Sequence, residues 1–96
     1  MSGKKILIID DDPDFVDSIR AVLEARGYIV DSAPDGTEGF KKAKETIPNL
    51  IILDVMMTKN TEGFEVSREF QSDDDLKSVP VIMITGLSLG TTFLQK

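Results

Sequence analysis

The chain has 96 residues, of which 41% are hydrophobic, and it contains neither cysteine nor histidine. Its formal net charge of −6, from 17 acidic and 11 basic residues, argues against a nucleic-acid-binding surface and against attachment to an anionic membrane. Without thiols or imidazoles, disulfides and histidine-based triads are excluded, and any metal would be a hard cation held by oxygen. We expect one cytoplasmic domain over residues 1–96, because the sequence has no membrane-spanning run and no signal-peptide core.

The first predicted strand is the continuous apolar run Ile6–Ile9, which is followed by an acidic triplet, Asp10–Asp12. A β-branched run without alternation is typical of a strand buried on both faces of a parallel sheet. Asp12 is suited to be the N-cap of a helix that has Pro13 as its first residue. Apolar residues then recur at helical spacing, and Gly27 predicts the end of this helix.

The next run, Tyr28–Ser32, is more mixed in composition and predicts an edge strand. The Asp35-Gly36 turn predicts the start of a second helix, which Pro48 ends. Helical spacing places three residues of this helix on one face, Phe40, Ala43 and Ile47.

Two further buried strands are predicted at Leu50–Leu53 and Val81–Ile84. Between them we expect a shorter helix that starts near Gly63, has Phe64 and Phe70 inward, and fades into a solvated acidic run at 73–75. Alternation of strands and helices with short connections predicts a doubly wound parallel α/β fold with right-handed crossovers. Such folds place their sites at the carboxyl ends of the strands.

Polar side chains stand at the ends of three predicted strands: Asp10 and Asp11, then Asp54, then Thr85. If the first and third strands are neighbours, about 4.8 Å apart, the three carboxylates converge and require a counter-cation. Oxygen-only ligands suit Mg²⁺. A carboxylate can also accept a phosphoryl group, so Asp54 fits the acceptor role, with Asp10 and Asp11 holding the metal. The Thr85 hydroxyl is placed to bond a phosphoryl oxygen.

Each of these features also has a purely structural explanation. The acidic triplet before Pro13 is expected at a helix N-terminus. Asp54 alone could be a strand-end residue turned to solvent, and Thr85 alone is a good β-former. The combination at three separate strand ends is what favours a site.

The stretches KILIIDDDPDF, PNLIILDVMM, EGFEV and VPVIMITG resemble the receiver domain of two-component response regulators, the CheY-like family, whose strand order is 2-1-3-4-5. The resemblance implies that Asp54 is phosphorylated by a phosphohistidine on a sensor histidine kinase or phosphotransfer protein. It also implies that Asp10, Asp11, Asp54 and the Met56 backbone carbonyl hold Mg²⁺, and that Thr85 moves toward the phosphoryl group. Such a domain is not an enzyme, apart from self-dephosphorylation.

Two departures from the family pattern stand out. Four residues after Asp54 the family usually has proline, where this chain has Thr58, and the loop before Glu62-Gly63 is one residue longer. We expect altered access to the site. The family also continues into a fifth strand, which carries a lysine that pairs with the phosphoryl group, and a last helix; Lys96 comes too early to be that lysine.

The expected fold is therefore a C-terminally truncated receiver with strand order 2-1-3-4, lacking the fifth strand and the last helix. The fourth strand would then be an exposed apolar edge, and the first-helix face would be partly open. We expect a homodimer or swapped assembly through these two surfaces, or a C-terminal stub that folds back as a cover with Leu87, Leu89, Phe93 and Leu94.

Two other functions are considered. The missing lysine favours a receiver-derived interaction or dimerisation module that acts without phosphorylation. The D-x-D spacing within Asp10–Asp12 is shared with haloacid-dehalogenase-type phosphohydrolases, but Asp14 stands where those enzymes have Thr or Val. A flavodoxin-type flavin carrier is disfavoured further, because three aspartates would repel the flavin phosphate.

Overall fold

The computed structural model describes residues 3–54, 62–84 and 92–95, with only the backbone described for 62–65 and 92–95. The side chains predicted to pack at Phe64, Leu87, Leu89, Phe93 and Leu94 therefore lie outside the described part of the chain. Within the described ranges the elements are, in chain order, β1 Lys5–Ile9, α1 Pro13–Ala25, β2 Ile29–Ala33, α2 Gly36–Thr46, β3 Leu50–Asp54, α3 Glu62–Ser72, β4 Val81–Ile84 and β5 Thr92–Gln95.

The strands form one sheet in the order β2-β1-β3-β4-β5. The first four strands of that order run parallel, with Ile9 opposite Leu53 and Asp54 opposite Ile84. This arrangement confirms the predicted fold class, a doubly wound parallel sheet in the order 2-1-3-4. β2 lies at an edge of the sheet as predicted, one residue later in the sequence than expected.

Successive residues of β1 point to opposite faces of the sheet, and each face has its own apolar cluster. Leu7 and Ile9 pack on the face covered by α2 and α3, together with the fully buried Phe70. Ile6 and Ile8 pack on the opposite face, with apolar residues of α1. Burial on both faces is the physical reason why the strand is a continuous apolar run.

The helices begin and end at the sequence signals that predict them. The Asp12 side chain accepts from the backbone N–H groups of Asp14 and Phe15, so the predicted N-cap forms. The Asp35 side chain accepts from the backbone N–H of Glu38 and caps the second helix, which begins at Gly36 as predicted. The prediction that Ile47 shares a helical face with Phe40 and Ala43 is wrong. α2 ends at Thr46, and Ile47 is the C-cap, with a left-handed φ of 46° and a side chain that is 43% exposed.

Two glycines allow α2 to lie close against its neighbours. A Cβ atom added to Gly39 would overlap the Ile9 side chain, and one added to Gly36 would overlap Val66 of α3. The close approach positions α2 firmly on the sheet, and with it the loop that leads from β2 into α2.

The prediction that β4 is an exposed edge strand is wrong. β5 pairs with β4 in the antiparallel direction, with Val81 opposite Gln95 and Ile84 opposite Thr92. It is therefore not the parallel fifth strand of the family pattern. The physical reason for the pairing is that an apolar edge strand leaves a row of backbone donors and acceptors open, and a nearby extended segment satisfies them.

No helix within the described residues has the length and apolar character needed to cross a membrane. The longest described helix, α1, has 13 residues, whereas a bilayer core requires about 20 apolar ones.

Candidate functional site

The sheet register brings the predicted acidic residues together at the carboxyl ends of β1 and β3. Ile9 lies opposite Leu53, so the next positions along the two strands are Asp10 and Asp54. One carboxylate oxygen from each of Asp10, Asp11 and Asp54 lies within 4.8 Å of the other two. The predicted convergence of these three carboxylates is confirmed, whereas their individual roles stay predictions.

The three carboxylates differ in their exposure to solvent. Asp10 and Asp54 are buried, with exposures of 6% and 8%, and Asp11 is exposed. The Asp10 Oδ1 atom accepts a hydrogen bond of 2.9 Å from the backbone N–H of Asp12. The three residues of the acidic triplet therefore have different roles. Asp12 caps α1, whereas Asp10 and Asp11 lie close to Asp54 at the end of the neighbouring strand. The cap and the acidic cluster coexist, so the structural explanation of the triplet does not exclude a site.

The pKa of Asp10 is raised from its ordinary value, 3.8, to about 6, and burial is the largest cause. The hydrogen bond from Asp12 N–H opposes the rise, while the charge of Asp54, a hydrogen bond with that side chain and the charge of Asp11 contribute to it. Both side chains whose charges raise it are acidic. Ionisation of Asp10 beside these carboxylates is therefore unfavourable until a cation compensates it.

An open cavity of about 350 Å³ gives Asp10 and Asp11 access to solvent. Its walls come from α1, through residues such as Pro13 and Asp17, and from the end of β2 and the following loop, through residues such as Ala33. Our sequence prediction did not include the β2 wall. The available signal was topological, because β2 ends at the same edge of the sheet as β1 and β3.

A larger groove of about 650 Å³ lies on the surface of α3, where Glu69 supplies the one carboxylate among the described lining residues. A single carboxylate does not make an oxygen ligand set for a hard cation. Of these two cavities, the smaller one has the larger set of oxygen ligands among the described residues.

The donor set at the acidic cluster fits a hard divalent cation. It offers oxygen atoms alone, from three carboxylates close enough to share one ion. The exposed Asp11 and the adjoining cavity leave room for waters or a phosphate oxygen. Three further predicted features, the Met56 carbonyl, the Thr58 substitution and the Thr85 hydroxyl, lie outside the described residues.

Comparison with known proteins gives a consistent family relationship. The family model described as "Response regulator receiver domain" matches residues 6–94. The chain is 42% identical over 83 residues to the DNA-binding dual master transcriptional regulator RpaA of Synechocystis, which covers 86% of this chain and 34% of that protein. The chain thus spans about a third of the length of this relative and of several others.

Solved structures show the same relationship. The chemotaxis response regulator CheY4 of Vibrio cholerae is 30% identical, with a TM-score of 0.79 over 85% of this chain and 68% of that one. The receiver domain of a sensor histidine kinase from Pseudomonas aeruginosa is 27% identical, with a TM-score of 0.80 over 93% of this chain and 72% of that one. That second structure has a magnesium ion coordinated in its active-site cleft.

Proposed function

This chain belongs to the response regulator receiver domain family, and we propose that it is a phosphoacceptor whose Asp54 takes up a phosphoryl group in the presence of Mg²⁺. Receiver domains are signalling proteins rather than classical enzymes. The observation that carries the proposal is the meeting of the buried Asp54 carboxylate with Asp10 and Asp11 at the carboxyl end of the sheet.

Asp10, Asp11 and Asp54 would hold the cation, and the family resemblance adds the backbone carbonyl of Met56. When bound, Mg²⁺ neutralises the carboxylates and the phosphoryl oxygens, which removes the repulsion between two anions. The raised pKa of Asp10 supports this assignment, because burial and acidic neighbours favour either a proton or a cation at that carboxyl.

Asp54 is the proposed nucleophile. A carboxylate oxygen of Asp54 forms a bond to phosphorus while the bond between phosphorus and the donor nitrogen breaks, and the electron pair of that bond returns to the donor's imidazole. The 8% exposure of Asp54 restricts its conformations and limits access of water to the acyl phosphate. Thr85 would then bond a phosphoryl oxygen.

The proposed phosphodonor is a phosphohistidine on a sensor histidine kinase or a phosphotransfer protein. Because such a donor is phosphorylated with ATP, we propose that this domain acts in the cytoplasm. We do not assign nucleic-acid contacts to these residues, because their net charge is −6.

Self-association through the first-helix face stays part of the proposal. Val22 of α1 is 56% exposed, and Leu23 of the same helix is only partly buried. The other surface considered for dimerisation, the edge of β4, is paired with β5 and is no longer proposed.

The test is intact-mass spectrometry after incubation with acetyl phosphate and Mg²⁺. We expect the parent protein to gain the mass of one phosphoryl group and the Asp54→Asn variant to gain none. A chelator should abolish the gain in the parent, because the three carboxylates then repel the incoming phosphate.

Asp17→Asn is the matched control, because it makes the same chemical change at an exposed aspartate that lines the cavity together with Asp10 and Asp11. It should be phosphorylated like the parent. An unmodified parent, or equal modification of the Asp54→Asn variant, would contradict the proposal.

A further inference from the structure

β2 is the terminal strand of the sheet, and no other described strand pairs with its outer edge. The Ile29 N–H donates to the Lys4 carbonyl, and the Ala33 carbonyl accepts from the Asp10 N–H, so the backbone groups of 29 and 33 face β1. Backbone direction alternates along a strand. The backbone groups of Val30 and Ser32 therefore point outward, away from the sheet.

Two basic side chains cover the outward carbonyls. Arg20 of α1 donates from Nη1 to the Val30 carbonyl at 2.9 Å. Lys42 of α2 donates from Nζ to the Ser32 carbonyl at 2.6 Å. Because α1 and α2 lie on opposite faces of the sheet, the two side chains reach the same edge from either side.

Further bonds hold this arrangement in place. The Ser32 N–H, which also points outward, donates to the Oδ1 atom of Asp31 at 2.8 Å. Lys42 forms an ion pair of 3.2 Å with the same Asp31 atom. Arg20 donates from Nη2 to the Ser32 hydroxyl at 3.1 Å and lies 3.6 Å from Glu24. Three outward backbone groups thus have side-chain partners.

An uncovered strand edge presents unpaired backbone donors and acceptors and is a ready template for another strand. We propose that Arg20 and Lys42 close the outer edge of β2 against pairing with a second copy of this chain. Without them the edges of two copies pair across a two-fold axis, which makes the two β2 strands antiparallel and joins two sheets into one. The same pairing would cover Ile29, which is 55% exposed.

The experiment compares two double variants with equal loss of charge. Arg20→Met with Lys42→Met removes both donors and retains long side chains. Arg68→Met with Lys41→Met is the matched control, because these exposed residues donate no bond to β2 in the part of the chain that the structure describes. Sedimentation equilibrium over a range of concentrations measures the mass of each protein, and hydrogen exchange measures protection of the Val30 amide.

We expect the control to keep the parent's assembly and the Arg20/Lys42 variant to form an assembly at least twice the parent's mass, with slower exchange at the Val30 amide. A folded Arg20/Lys42 variant with the parent's mass would overturn the proposal, as would a larger assembly with unchanged exchange at Val30. If the double variant does not fold, Lys42→Met alone exposes the Ser32 carbonyl and should self-associate more than Lys41→Met; equal behaviour of those two would also overturn the proposal. None of these results depends on phosphorylation of Asp54.

Discussion

Two acidic clusters of this domain respond to their surroundings in opposite ways. At the carboxyl ends of β1 and β3, the side chains of Asp10, Asp11 and Asp54 lie together. After α3, the run 73–75 is also acidic, but there the Lys44 ammonium lies 3.0 Å from Asp73 and 2.9 Å from Asp75. The second cluster contains its own cation, and it joins α2 to the loop before β4.

The pKa shifts have opposite signs for this reason. Burial and acidic neighbours raise the pKa of Asp10 to about 6, whereas the hydrogen bond from Lys44 lowers the pKa of Asp73. Bonds to Asp75 and Asp73 raise the pKa of Lys44 in turn. An acidic cluster that holds its cation within the fold is a structural feature. An acidic cluster in which burial and neighbouring carboxylates raise the pKa of one member, here Asp10, favours binding of a cation from solution.

The largest difference between the clusters should appear in Mg²⁺ affinity. Asp10→Asn removes one of the three proposed carboxylate ligands and should weaken Mg²⁺ binding by about tenfold or more. Asp73→Asn makes the same chemical change at the other cluster and should leave the affinity unchanged. Isothermal titration calorimetry measures both values. Equal loss in the two variants would remove the distinction between the clusters.

Stability without metal should change in opposite directions. Asp10→Asn removes a buried charge from an acidic environment, so we expect the free energy of unfolding to rise by about 1–2 kcal/mol at pH 7 in a chelator. Asp73→Asn should lower it, because Lys44 then loses a charged partner. Urea denaturation measures both changes. Equal free energies of unfolding for the parent and Asp10→Asn would show that repulsion within the acidic cluster does not destabilise the fold.

The pH dependence follows from the same shift. In the fold the pKa of Asp10 is about 6, against 3.8 ordinarily, so the folded state binds more protons between those values. Stability from this group is fully present below 3.8 and is lost as pH rises through about 6. The contribution of Asp73 to stability changes with pH in the opposite direction. It is present above pH 3.8 and is lost as the pH falls through the lowered pKa of Asp73.

Urea midpoints of the parent and of Asp10→Asn, measured on both sides of pH 6 in a chelator, test the Asp10 contribution. The difference between the two proteins should grow as the pH rises. A constant difference would contradict a raised pKa at Asp10.

The smallest effects concern the second cluster. Lys44→Met should lower the thermal midpoint, because it removes the cation shared by Asp73 and Asp75. Lys77→Met should have no measurable effect, since its pair with Asp74 is 3.5 Å long and the Asp74 side chain is 94% exposed. Thermal unfolding followed by circular dichroism gives both midpoints. Equal shifts of the thermal midpoint in Lys44→Met and Lys77→Met would show that the ion pairs of Lys44 do not stabilise the fold.

The fold was largely predictable where a segment carries its own pattern. β1, β3 and β4 are continuous apolar runs because both of their faces are buried, so their composition identified them within a residue. Ile47 was misassigned because helical spacing continues past Thr46, where the backbone turns left-handed. β5 was not predicted as a strand because its pairing with β4 depends on tertiary contact rather than on local periodicity.

The candidate site was predictable in part for a topological reason. Neighbouring parallel strands end at one edge of the sheet, so the order of the strands is enough to place the strand-end residues Asp10 and Asp54 together. Contacts between distant surface residues carry no such signal. Lys44 and Asp73 are 29 residues apart, and neither their pairing nor the reach of Arg20 to Val30 follows from spacing.

The most direct test of the central claim is to locate the phosphoryl group on the chain. After treatment with acetyl phosphate and Mg²⁺, borohydride reduces an acyl phosphate to an alcohol, and peptide mass spectrometry identifies the altered residue. We predict that Asp54 alone is reduced, and that no reduction occurs in chelator. Reduction at Asp10, at Asp11 or at the aspartates of 73–75 would contradict the assignment of Asp54 as the acceptor.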